Sequence, residues 1–153
     1  MDIFASIFRL AMACWVGGVA LFTFVLTPIL FKTQPRDLAA KIVGVLFPAY
    51  FRWGLISGAV ALVCLLLLRG RNFIPVLAML MLMLVLTSYQ AFSVEPRAAA
   101  LKQRIVSFET GDKENSLRRE FSKLHGLSMV CNLTVLLCGI VIIVLPEKYW
   151  QGR

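Results

Sequence analysis

The chain has 153 residues, of which 59% are hydrophobic and only 16% charged, with a mean hydropathy of +0.82. A soluble domain of that length cannot hide so much apolar surface, because its core is limited by surface-to-volume scaling, so a bilayer is the expected solvent. The net charge of +8 is confined to gaps between apolar runs, where the positive-inside bias is a sufficient cause; with no RNA or DNA motif beside it, nucleic acid is not an expected partner.

Four apolar segments, about 10–31, 48–68, 73–94 and 125–145, approach the length a helix needs to cross roughly 30 Å of hydrocarbon. The first is uncharged, longer than a signal-peptide core and followed by no small-x-small cleavage site, so it is expected to remain. Within it Gly17 and Gly18, after Trp15, let another backbone approach. Pro35-Arg36-Asp37 reads as a turn, with Asp37 able to cap an amphipathic helix over 38–47. Pro48 then starts or kinks the second span, which places Arg52 and Trp53 at its interface. Gly54 and Gly58 form a GxxxG pair suited to close helix packing.

Arg69-Gly70-Arg71-Asn72 is a tight connection, so the second and third spans are expected to be antiparallel neighbours. Beyond the third, Leu101, Ile105 and Phe108 fall at i, i+4, i+7, as do Leu117, Phe121 and Leu124, with a turn over 110–115 between them. Pro146 stops the fourth span, and Tyr149 and Trp150 follow as interface anchors. The expected fold is all-α: one integral membrane domain over 1–153, a four-transmembrane-helix bundle whose third and fourth helices extend into a cytoplasmic helical hairpin.

Orientation follows from counting cations. Arg9, Arg69, Arg71, Lys148 and Arg153 share one side of a four-span topology, and the other eleven of the 16 Lys and Arg share the opposite side. Both termini are therefore expected outside and the two larger loops in the cytoplasm, of a bacterial-type inner membrane if the source is bacterial.

One half of the bundle is polar. His125, Ser128, Met129 and Asn132 share a face of the fourth helix, and Tyr50, Arg52, Gln90, Glu95 and Arg97 stand at the same level on the second and third. Thr23, Thr27 and Thr87 accompany them. Unpaired polar groups in hydrocarbon cost several kcal/mol, so this stripe is expected to turn inward. Glu95 is expected to pair with Arg52 or Arg97, with His125 joining the network, and Pro96 to break or kink the third helix. Two readings stay open: helix glue, or a cytoplasm-facing pocket for a small molecule.

The opposite half is soft. Cys14, Cys64 and Cys138 lie in apolar runs near Met79, Met81 and Met83, a chemistry that suits Cu(I) but also ordinary packing. No metal site is assigned to these thiols. One histidine cannot give the bis-histidine ligation of a membrane b-type cytochrome, so no cofactor is expected. Ser128 and His125 lack an orienting acid nearby in sequence, and no enzyme activity is expected.

The strings QPRDLAAKIVGVLFPAYF, VEPRAAA and KLHGLSMVCNL, preceded by WVGG, occur here in an order and approximate spacing that resemble the transmembrane-protein-205-like family of small four-helix membrane proteins. The matching positions are Trp15, Gly18, Pro35, Arg36, Phe47, Pro48, Tyr50, Phe51, Glu95, Pro96, Arg97, His125, Gly126 and Asn132. The resemblance implies a polytopic protein, and the family's vertebrate member is associated with resistance to platinum drugs, consistent with export or trafficking of a soft-metal compound. This chain is shorter between the third and fourth spans than the vertebrate pattern.

The expected function is transport- or resistance-associated binding of a small molecule or soft-metal compound in the polar pocket. The alternative is a non-catalytic membrane subunit or assembly factor whose polar cluster is structural. The bilayer is the expected partner, with a homodimer or larger membrane complex as the setting for any transport path, since four helices alone leave a narrow one.

Overall fold

The computed structural model describes residues 3–70, 73–105 and 116–145. Their regular elements are four helices, each long and apolar enough to cross a membrane: α1 (Ile3–Thr33), α2 (Arg36–Leu68), α3 (Phe73–Arg104) and α4 (Ser116–Val144). They run up and down, each packed on the next, and α4 closes the bundle against α1. Apolar side chains cover both sides of each wall. Phe8, Met12, Leu65, Leu80, Met83 and Ile142 are buried, whereas Leu10, Ile56, Leu67 and Leu137 are exposed. An exposed apolar collar has no reason to exist in water and a clear one in lipid.

The helices have 29 to 33 residues, while about 20 suffice for the hydrocarbon. Much of the surplus lies at one end, in the first turns of α2, in α3 beyond Pro96 and in α4 before His125. The expected extension of the last two helices is present, and Leu101 is buried where the end of α3 packs on α4. The hairpin turn over 110–115, Phe108, Arg71, Asn72 and everything from Pro146 onward, Tyr149 and Trp150 included, lie outside the described residues.

One expectation changes. The amphipathic stretch before Pro48 is not a separate helix, because α2 runs unbroken from Arg36 to Leu68 with Pro48 inside it. Arg52 Nε donates to the Pro48 carbonyl at 3.2 Å, so this guanidinium is held on its own helix. Since α2 starts twelve residues ahead of Pro48, Trp53 stands midway along the whole helix, about one turn past Pro48. Its indole N–H donates to the Cys14 carbonyl at 3.2 Å.

The glycines divide by use. Gly54 and Gly58 are buried and form a slot for the Trp15 indole, and Gly18 faces Trp53. At Gly17 a Cβ would meet nothing within 4 Å, so among the described residues no other helix of the chain packs against that position. The GxxxG face is thus spent within one chain. At the far end, Arg69 takes a left-handed conformation (φ 38°, ψ 54°) to close α2, with its N–H on the Leu65 carbonyl. A side chain there costs roughly 1–2 kcal/mol relative to a right-handed residue, a cost the short connection to α3 requires.

Candidate functional site

Two prolines prepare the polar end of the bundle. Pro28 and Pro96 cannot donate to the preceding turn, and neither breaks its helix. Each instead follows a π-helical turn, Leu21–Leu26 in α1 and Gln90–Val94 in α3. The Thr27 N–H bonds the Phe22 carbonyl and the Glu95 N–H bonds the Gln90 carbonyl, five residues back in both cases. The wider turn changes the angular register, and both bonded residues, Phe22 and Gln90, point into the bundle.

Gln90 is completely buried and joins two sites on α4. Its Nε2 donates to Asn132 Oδ1 at 3.2 Å, and its Oε1 accepts from the Ser128 hydroxyl at 2.7 Å. The Tyr50 hydroxyl on α2 donates to the same Asn132 oxygen at 3.1 Å. Three helices are therefore tied at one level by three side-chain hydrogen bonds. The i, i+4 spacing of Ser128 and Asn132 lets one amide reach both.

Aromatic rings surround Tyr50. Phe22 stacks on it with centroids 4.5 Å apart, Phe51 meets it edge-on at 5.0 Å, and Phe47 stacks on Phe51 at 5.6 Å. Thr87 is buried one turn below Gln90, close to Gly54. In the α1 π turn, the buried Thr23 hydroxyl has no hydrogen-bond partner among the described residues.

Next to this network lies a cavity of about 810 Å³, within the usual range for small-molecule sites. It is enclosed by the end of α1, the first half of α2, the last turns of α3 and the start of α4. Phe47 and Phe51 supply apolar lining, and Ser128 is shared with the hydrogen-bond network. Glu95 and His125 also face the cavity, together with the cations Arg36, Lys41, Lys102 and Arg118. Lys102 donates to the Ala40 carbonyl across the α2–α3 gap.

The expected site residues separate into three groups. Tyr50, Gln90 and Asn132 come together as a network. Glu95 and His125 belong to the cavity instead, His125 lying parallel to Phe121 with ring centroids 6.5 Å apart. Arg52 and Arg97 are exposed and line neither. The expected pairing of Glu95 with Arg52 or Arg97 is not found among the described residues, since a continuous α2 leaves Arg52 bonded to Pro48.

Cys14, Cys64 and Cys138 are free thiols, and no three His, Cys, Asp or Glu side chains converge to hold a metal among the described residues. Lys102 is only one of the loop cations in the sequence, and Phe47 and Phe51 are family-matching positions with no role attached. Ala40, Val43, Gly44, Phe47 and Phe51 in fact recur at helical spacing and could have marked the lining face. Phe22 had no such signal, because a π turn breaks the period.

Residues 10–107 match the DUF4149 family, described as a domain of unknown function. An uncharacterized protein of Aquifex aeolicus (strain VF5) is 34% identical over 137 residues, which cover 88% of this chain and 91% of that protein. No solved structure matches significantly. The matched family region carries Tyr50, Gln90, Glu95 and Lys102, and ends before α4 brings Ser128 and Asn132 to them.

Proposed function

This chain belongs to the DUF4149 family, a domain of unknown function, and from that premise we propose that it is a transport-associated membrane protein that binds a small organic molecule in the cavity beside Ser128. The observation that carries this reading is a cavity of about 810 Å³ between helix ends, with aromatic rings on one part and ionised groups on another. Among the described residues its lining holds ammonium, guanidinium, carboxylate and imidazole groups and no thiol or thioether. A soft-metal cargo is therefore the weaker form of the proposal, since sulfur ligands are what select such metals.

We place the cavity on the cytoplasmic side, because most of the Lys and Arg stand at that end. Alkaline phosphatase fused after Arg153 should accordingly be active outside the cytoplasm; an inactive fusion beside an active one in the 106–115 connection reverses the orientation.

Ala99 lines the cavity and takes no part in the network, so Ala99→Phe should fill the space and leave the fold intact. Native mass spectrometry of the wild-type chain, released from mild detergent, should show a bound species of small-molecule mass. Ala99→Phe, at equal helicity and melting temperature, should lose it. The same species on both chains, or none on either, refutes the reading.

A second reading, a non-catalytic subunit or assembly factor, draws on a different observation: both ends of the Gln90 amide are satisfied within the chain. The network on that view sets helix register and binds nothing. It predicts obligate co-purification with a larger complex and no solute flux in proteoliposomes of the isolated protein.

A further inference from the structure

Among the described residues, Lys41 and Lys102 bring two ammonium groups to the cavity lining, where Arg36, Arg118 and the Glu95 carboxylate also stand. Lys102 Nζ reaches the carbonyl of Ala40, the residue next to Lys41, so the two lysines meet at the same part of the lining. Gly44 leaves room for this lysine: a Cβ there would stand 2.8 Å from Lys102 Nζ. Two ammonium groups on one lining, beside an apolar wall, favour a ligand that brings an anion between them.

The wall also opens sideways. Val45 and Phe31 line the cavity, yet Val45 is 73% exposed and Phe31 42% exposed on the outer face of the bundle. The cations stand in the surplus turns beyond the apolar collar, at the level where lipid phosphates lie. The aromatic lining stands deeper, beside Tyr50. A ligand matching this arrangement has an anionic head at the membrane surface and an apolar tail alongside it.

Resting on the small-molecule reading above, we propose that the cavity takes an anionic phospholipid from the surrounding leaflet. Its phosphate lies at Lys41 and Lys102 and one acyl chain runs along Phe47 and Phe51. The phosphate makes charge-assisted hydrogen bonds to the two ammonium groups, and the lateral opening admits the chain without passage through water.

The test uses the full chain in nanodiscs of phosphatidylcholine containing one-tenth phosphatidylglycerol with the same acyl chains, followed by native mass spectrometry of the released protein. Phosphatidylglycerol should be retained at least tenfold over its share of the bilayer. Lys41→Gln and Lys102→Gln should each reduce that enrichment about fivefold, and Lys102→Arg should restore most of it, which a folding defect would not do. Inorganic phosphate added at millimolar concentration should not displace the lipid; displacement would assign the site to a soluble phosphate and overturn the proposal.

Equal retention of the two lipids, abolished by Ala99→Phe, would overturn the charge-selective proposal and leave the small-molecule reading standing. Retention that neither the lysine variants nor Ala99→Phe change would remove both.

Discussion

Gly58→Ala should be among the most damaging additions of a single methyl group to the bundle. Its Cβ would stand 2.5 Å from Cζ3 of Trp15 and 2.6 Å from Cδ2 of Leu84, distances that packed atoms do not tolerate. Trp15 is 1% exposed, so its rigid ring is held inside the bundle and not free to swing into solvent. Either α1 or α3 must move outward, and the expected loss is about 3 kcal/mol, the upper part of the usual overpacking range. Gly17→Ala is the matched control, since its Cβ meets nothing within 4 Å. That change should be neutral or slightly stabilising through helix propensity. Adding Trp15→Leu to Gly58→Ala should recover part of the loss, a coupling that a double-mutant cycle detects in reversible unfolding from mixed micelles. If Gly58→Ala proved no worse than Gly17→Ala, the slot around Trp15 would be wrong.

The contrast between those two glycines shows what could be read from the chain and what could not. Length and hydropathy determine the number of spans, because lipid demands internally bonded helices of a minimum length. The GxxxG spacing correctly marks a packing face. It does not say that the ring filling the slot comes from α1 of the same chain, which is a long-range fact. Gly139 makes the same point more sharply. It belongs to no GxxxG pair, yet a Cβ there would collide with Val16 of α1, at the contact that closes the bundle.

The polar end was partly legible for a similar reason. Tyr50, Gln90 and Asn132 stood out because amides and hydroxyls in apolar runs must find each other, and they do. The expected ion pairs failed on a local detail. The sequence lets Pro48 either start or kink the second span, and its place inside a continuous helix leaves Arg52 on the outer surface. His125 was placed at the right level but in the cavity, one helical turn from the network it was expected to join. No periodicity argument anticipates two π turns, since each adds a residue to the repeat on which such arguments depend.

Gln90→Leu should have the largest effect among changes to the network, because Gln90 alone contributes both a donor and an acceptor to it. Leucine of similar volume leaves Ser128 without its acceptor and Asn132 with only the Tyr50 hydroxyl, both in buried positions. Each unsatisfied buried group costs roughly 1–3 kcal/mol, and hydrogen bonds between membrane helices sit towards the lower part of that range. An overall loss of about 2–3 kcal/mol is expected. Tyr50→Phe should cost under about 1 kcal/mol, since Asn132 Oδ1 keeps the Gln90 donor and the phenyl ring keeps its stack on Phe22. Replacing both members of the pair, Gln90→Leu with Asn132→Leu, should be milder than the sum of the single changes, because no amide is then left stranded. The order Gln90→Leu, then Ser128→Ala, then Tyr50→Phe is the measurable signature in unfolding curves. Equal costs for Gln90→Leu and Tyr50→Phe would mean that the glutamine does not bridge Ser128 and Asn132. Lipid retention separates the two structural parts, since a network that serves only helix register should lose stability in Gln90→Leu and keep its selectivity at Lys41 and Lys102.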